Sequence, residues 1–262
     1  MMKIHTVIFD WAGTTVDFGS LSPVSAFQEA FRQAGVEVTD EETRAPMGLL
    51  KIDHIRTMLA MPQVAARWQA AHGSAPGEAD AQNLYAAFEP SLMAVLDRFC
   101  GVKPGVLEAV EALRGRDVRI GSTTGFTHKM MEVVTREAAA HGYAPDTYVT
   151  AEDVGGFGRP RPYMIFENMR RLQSPSVAGV IKVGDAEADM REAVNAGVLA
   201  VGVLEGSSVM GLSESEWHAL SEADKALRRA EAAGRFIAAG ADFVINQMGE
   251  LPALIEAIER RG

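Results

Sequence analysis

Short apolar runs alternate with longer amphipathic stretches over most of this chain. The first run, Val7-Ile8-Phe9, meets Asp10 and then a turn, WAGTT. A run of this kind predicts a buried central strand of a parallel sheet, with Asp10 at its C-terminal end. VRIGSTTG (118–125), TYVTAED (147–153) and VIKVGD (180–185) predict further strands, as do LAVGVLEG (199–206) and DFVINQM (242–248). Helical stretches lie between them: 101–117, whose helix ends near Gly115, 127–142, 162–172 and 188–197. A charged helical stretch, 213–239, reads as a solvated outer segment, and 250–261 closes the chain as a helix. Strand–helix alternation implies right-handed parallel crossovers.

From Phe18 to Phe99 the period is helical throughout. Residues 22–35 start on cap-type residues and end on a glycine. Thr39 or Asp40 is the expected N-cap of the next helix. Helices follow around 49–60, 63–71 and 78–98, with HGSAPG (72–77) as a loop. The fold class is therefore α/β: a Rossmann-like parallel-sheet core with an inserted all-helical cap domain. The core is 1–17 plus 100–262, and the cap is 18–99. An insert leaving directly after the first strand must sit over the C-terminal edge of the sheet, above Asp10. Clefts of this kind are favoured ligand sites.

Composition narrows the function. The 262 residues carry a net charge of -10, which argues against nucleic acid as a partner but allows one local anion pocket. Cys100 is the only cysteine, so no intrachain disulfide forms. The N-terminus reaches an acid too soon for a signal peptide, and no apolar run approaches the ~20 residues that span a bilayer. A cytoplasmic protein without a membrane partner is expected.

Four strand ends carry polar residues of a matching kind. Asp10 ends the first. Ser122, Thr123 and Thr124 end the second, with Gly125 opening the next helix. Arg159 follows the third, in GFGRPRP, and Arg161 two residues on leaves open which of them faces a ligand. Asp185 and Asp189 follow the fourth. Carboxylates from two strand ends can hold one Mg²⁺, hydroxyls and free N–H groups can hold an anion, and an arginine can clamp a phosphoryl group or steady an aspartate. Each piece alone has a bland reading as a turn, a surface arginine or a helix cap. Their order along successive strands favours a site.

These motifs resemble those of the haloacid dehalogenase-like phosphotransferase superfamily. The resemblance implies that Asp10 is a nucleophile forming an aspartyl phosphate, with Mg²⁺ as cofactor. Most phosphatases of that superfamily place a general acid two residues after the nucleophile, and here that residue is Ala12. DWAGTTVDFG together with MGLLKIDHIR (47–56) is more narrowly similar to the phosphonoacetaldehyde hydrolase family, as are GSTTGFT, GRPRPYM, KVGDAEADM and EGSS. That family has the alanine, and a cap lysine, here Lys51, that forms a Schiff base with the substrate aldehyde. The resemblance implies a metal held by Asp10, the Ala12 carbonyl and Asp185, with Asp189 behind them. It implies Thr124 and Arg159 on the phosphoryl oxygens, Met47, Gly48 and Gly125 shaping the substrate cleft, and a homodimer through the cap, for which 22–35 is the candidate surface. His54, three residues after Lys51, is a candidate proton shuttle or a structural histidine, and Ser20 or a water is an alternative shuttle. A phosphatase or phosphomutase acting on a P–O ester is the alternative function. Ser20, Phe126, Ala186 and an extra residue in GGFGRP are this chain's departures from the family pattern.

Overall fold

The computed structural model describes residues 3–261. Six strands form one sheet: β1 (Thr6–Phe9), β2 (Arg119–Thr124), β3 (Val149–Thr150), β4 (Val180–Gly184), β5 (Leu199–Val203) and β6 (Phe243–Ile245). Their order is β3-β2-β1-β4-β5-β6, and every pairing is parallel. β1 is central, with Val7 opposite Ile120 on one side and Ile181 on the other. The strand order reverses between β1 and β4, which opens a crevice at their C-terminal ends.

Alternation of side chains decides the two faces. Val7 and Phe9 of β1 pack with α6 (Val106–Arg114) and α12 (Leu251–Arg261), whereas Ile8 packs with α8 (Tyr163–Arg171), α9 (Glu187–Ala196) and α11 (Glu222–Ala238). The charged stretch 213–239 is not the wholly outer segment that its composition predicts. It forms α10 (Glu214–Ala219) and α11, and it buries Trp217, Ala232 and Phe236. Phe236 closes on Gly202 of β5, where a Cβ would come within 2.5 Å of the ring. α7 (His128–Ala140) follows β2.

Between β1 and α6 the insert holds five α-helices: α1 (Leu21–Gln33), α2 (Asp40–Arg44), α3 (Lys51–Ala60), α4 (Pro62–His72) and α5 (Glu78–Met93). The first is capped from outside itself. The Asp17 carboxylate accepts from the Leu21 and Ser22 amides and from the Ser22 hydroxyl. Thr39 caps α2 in a reciprocal box with Glu42. Two expected boundaries move. α5 stops at Met93 rather than Arg98, because Pro90 removes a donor from its last turn, and a 3-10 turn, Leu96–Phe99, takes over. α3 begins at Lys51 rather than Leu49, which leaves 47–50 as a free loop. The third predicted strand is also shorter, since Ala151–Val154 turns into a 3-10 helix. No helix among the described residues is long and apolar enough to cross a membrane.

Phe27 sits at the centre of the insert, stacked on His54 at 3.9 Å and on Phe88 at 4.1 Å between ring centres. Phe27→Ala is expected to destabilise the protein by about 3–5 kcal/mol through lost transfer energy and a residual cavity. Urea denaturation measures this, and a loss below about 1 kcal/mol would show that the stack holds little together.

Candidate active site

Asp10 follows β1 directly, and its amide donates to the Val183 carbonyl at 3.0 Å. The neighbouring Trp11 is fully buried, and its indole N–H donates to Ser122 Oγ at 2.7 Å. These two bonds tie the turn after the nucleophile candidate to the strands on either side. The turn then runs through Gly13 at φ 83, where a Cβ would lie 2.1 Å from an Asp185 oxygen. Both the backbone angle and the space require glycine there.

One buried guanidinium organises the charges behind Asp10. Arg159 Nη2 donates to Asp10 Oδ1 at 2.8 Å and to Thr123 Oγ1 at 2.7 Å, and Nε donates to Glu192 Oε2 at 2.9 Å. Nη2 also lies 3.2 Å from Asp189 Oδ1, which Lys182 Nζ approaches to 2.9 Å. Arg161 is exposed and stacks over Phe157, so Arg159 is the arginine that faces the site. Burial by itself pushes the Asp10 carboxyl up. The charges of Arg159 and Lys182 and the arginine's hydrogen bond outweigh that and hold it below the usual carboxylate range. Asp10 is therefore an anion, as a nucleophile must be.

Asp185 differs. Burial, then Asp10 and Asp189, push its carboxyl up to about 7. It is held by Thr14 Oγ1 at 3.2 Å, by the Ser208 amide at 2.7 Å and by no direct cation. One oxygen from each of Asp10, Asp185 and Asp189 lies within 4.8 Å of the others. A divalent cation of the hard, oxygen-preferring kind fits this donor set, because it would relieve the repulsion that raises Asp185. Asp189 is already engaged by Lys182, Arg159 and the Ala186 amide, so Asp10 and Asp185 are the oxygens left for an ion.

Lys51 enters from the insert as the first residue of α3. Only 5% of it is exposed. Its ammonium lies 4.8 Å from the centre of the Phe126 ring and 5.8 Å from Phe27. Burial lowers its pKa to about 8; Arg159 acts in the same sense and Asp10 and Asp185 oppose it. The positive end of α3 also disfavours the charged amine. His54 is not beside the cavity. It is fully buried one turn behind Lys51, with Nε2 2.8 Å from the Thr43 carbonyl and Nδ1 without a partner. Burial and then Lys51 drive its basicity well below normal, so the proton-shuttle expectation finds it neutral and walled off by packing.

The cavity unites both parts of the chain. Asp10, Ala12, Thr124, Arg159, Asp185 and Ser208 line it from the sheet side, with Gly125 and Phe126 beside them. Ser20, Met47, Gly48 and Lys51 line it from the insert side. About 20 Å³ remains free between the insert and the sheet side, room for roughly one water. The insert closes on bare backbone. Gly48, at φ 86, abuts the Ala186 and Ala188 methyls, its carbonyl accepts from Arg159 Nη1 at 3.2 Å, and Leu49 O lies where a Gly125 Cβ would need to be. Thr14, Glu192 and Lys182 were not singled out from sequence. Each looks like an ordinary turn or surface residue until its partners are known.

Residues 4–197 match the family model for haloacid dehalogenase-like hydrolases. The chain is 50% identical over 257 residues to a phosphonoacetaldehyde hydrolase of Lysinibacillus sphaericus, covering 98% of this chain and 96% of the relative. It is 46% identical over 260 residues to one of Bacillus cytotoxicus, covering 99% and 98%. A crystal structure of a phosphonoacetaldehyde hydrolase-like protein from Oleispira antarctica superposes with a TM-score of 0.95 at 38% identity, covering 98% of this chain and 93% of that one. A hydrolase from Pseudomonas syringae shares the fold alone, at 17% identity and a TM-score of 0.71.

The glycine contact yields a test. Gly125→Ala would place a methyl 2.5 Å from Leu49 O. The substitution is expected to leave the melting temperature within a few degrees and to lower turnover about 100-fold, since a 1 Å misplacement of reacting groups has that order of effect. Turnover near wild type would show that the loop docks elsewhere.

Proposed function

The chain belongs to the haloacid dehalogenase-like hydrolases, and from that premise we propose that it hydrolyses phosphonoacetaldehyde to acetaldehyde and phosphate. The observation that carries this reading is the buried Lys51 amine in one cavity with Asp10, where Ala12 occupies the place of a general acid. Cleavage of a P–C bond expels a carbanion, which protonation of an oxygen cannot rescue. An iminium next to that carbon accepts the electron pair as an enamine. A P–O phosphatase would need the acid that Ala12 lacks.

Residues 18–99 act as the cap and 1–17 with 100–262 as the core. The neutral Lys51 amine adds to the aldehyde and loses water to form the imine. The Asp10 carboxylate then attacks phosphorus in line, the P–C pair flows into the iminium, and an aspartyl phosphate remains. Water hydrolyses the acyl phosphate, and the enamine takes up a proton and is hydrolysed to acetaldehyde. Thr124 and Arg159 Nη1 face the phosphoryl oxygens, while Met47, Gly48 and Gly125 shape the space around the aldehyde. Mg²⁺ would be held by Asp10, Asp185 and the Ala12 carbonyl, supported by Asp189, and when bound it neutralises charge on the phosphoryl group. His54 packs behind Lys51, and its neutrality adds no positive charge to the lysine's surroundings.

Energetics favour this lysine. At an ordinary pKa of 10.4, deprotonation at pH 7 costs about 4.6 kcal/mol, whereas at about 8, one unit above neutrality, it costs about 1.4 kcal/mol. Below pH 8 the amine is mostly protonated and unreactive. The logarithm of kcat/KM is therefore expected to rise with unit slope from pH 6 and to level off near 8. A profile flat from 6 to 9 would count against an amine nucleophile.

The deciding experiment is borohydride reduction in the presence of phosphonoacetaldehyde, followed by peptide mass spectrometry. Wild type is expected to carry one adduct, at Lys51. Asp10→Asn is expected to trap the same adduct while releasing no phosphate, because an amide is a poor nucleophile. Lys51→Arg is expected to lose several powers of ten in activity despite keeping its charge, since guanidinium does not deprotonate. An adduct at Lys129 or Lys182, or a nearly active Lys51→Arg enzyme, would sink the mechanism.

A further inference from the structure

A second buried lysine lies on the far side of the Gly13 turn. Lys103 is on the return linker from the insert, and only 6% of it is exposed. Its ammonium donates to the Gly13 carbonyl and, at 2.8 Å, to the Glu205 carbonyl. It also lies 5.4 Å from the ring of Phe18, on the outgoing linker. Burying an ammonium without a direct carboxylate partner is costly, so its donors must be well used. Burial brings its pKa to about 8, while Asp185 and then Asp17 favour its charge.

The two carbonyls belong to the two segments that grip Asp185. Thr14, next to Gly13, donates its hydroxyl to Asp185 Oδ1. Ser208, three residues after Glu205 in the same turn, donates its amide to Oδ2 and its hydroxyl to the Asp185 carbonyl. A Cβ at Gly13 would lie 2.1 Å from Oδ2, so the turn passes close to the carboxylate. No backbone hydrogen bond joins Gly13 directly to Glu205. The Lys103 ammonium bridges them, and further along the same two segments the Gly19 amide donates to the Gly206 carbonyl at 2.8 Å.

We propose that Lys103 is a positioning residue for the divalent-cation site, tying the turn after Asp10 to the loop after β5 so that Asp185 and the Ala12 carbonyl are held for the ion. The inference rests on the Mg²⁺ reading above. It separates Lys103 from Lys51: one amine reacts with substrate, the other never meets it. Its removal loosens Asp185 without disturbing the imine.

Titration calorimetry of the whole protein with Mg²⁺, without substrate, tests this. Lys103→Met is expected to raise the Mg²⁺ dissociation constant at least ~10-fold. Lys103→Arg, which retains charge and several donors, is expected to stay within ~3-fold. Borohydride trapping at Lys51 is expected to persist in both. If Lys103→Met does not fold, Lys103→Gln replaces it with the same expected weakening. Wild-type Mg²⁺ affinity in the Met or Gln variant, whatever its melting temperature, would overturn the proposal while leaving the Mg²⁺ reading intact. So would weakening in Arg as large as in Met, since rescue by the conservative variant would be missing. Absence of Mg²⁺ binding by the wild type would overturn both.

Discussion

Like charges buried together are the constraint on which this molecule depends. Asp10 and Asp185, at the ends of β1 and β4, and Asp189 and Glu192, on α9, all lie inside the protein, where water screens them poorly. Arg159 and Lys182 offset the repulsion, but unevenly. Asp10 and Asp189 receive direct contacts, and Asp185 receives none. Removing one partner of such a network leaves an uncompensated buried charge, at a cost of about 3–5 kcal/mol. The unevenness has a chemical use. It holds the Asp10 carboxyl down as an anion and leaves Asp185 with no cation beside it.

The insert adds a third charge state to the same small volume. Lys51 is a base kept weak by burial, by the start of a helix and by Arg159, and Asp10 moderates the effect. Arg159 touches the core carboxylates and the cap carbonyl of Gly48 at once. Arg159 therefore ties the position of the cap loop to the charge beside Asp10. The free volume of about 20 Å³ leaves room for roughly one water beside these groups.

Much of this was legible in the sequence because sheet topology and residue order are closely linked. Asp10 and Asp185 each follow an apolar run, Thr124 ends the strand predicted from VRIGSTTG, and parallel strands place such ends side by side. The cap followed from the unbroken helical period between Phe18 and Phe99. What escaped did so for local reasons. Lys182 lies inside the run VIKVGD, and a single cation in a strand does not announce that it is paired underneath. Glu192 faces inward from α9, but its sequence neighbours, Arg191 on one side and Asp189 behind, suggest a solvated face. His54 shares the periodicity of Lys51, yet the loop 47–50 starts the helix later than the pattern suggests and turns the histidine into the Phe27 stack. The choice between Arg159 and Arg161 needed three dimensions, because two residues of spacing in a loop do not define a direction.

The backbone seam between Gly48 and Gly125 also bears on how this scaffold could be re-engineered. Where main chain meets main chain, no side chain is available to trim or enlarge, and any added carbon props the cap open. Substrate scope is therefore adjustable only from the rest of the wall. Among the lining side chains, Ser20 and Met47 carry no charge, and the uncharged Phe126 ring faces the Lys51 ammonium at 4.8 Å. A library randomised at those three positions explores bulkier or more polar aldehydes, with Met47 also packed against Ala186 across the cap contact, whereas diversity introduced along the seam is spent on enzymes that do not shut.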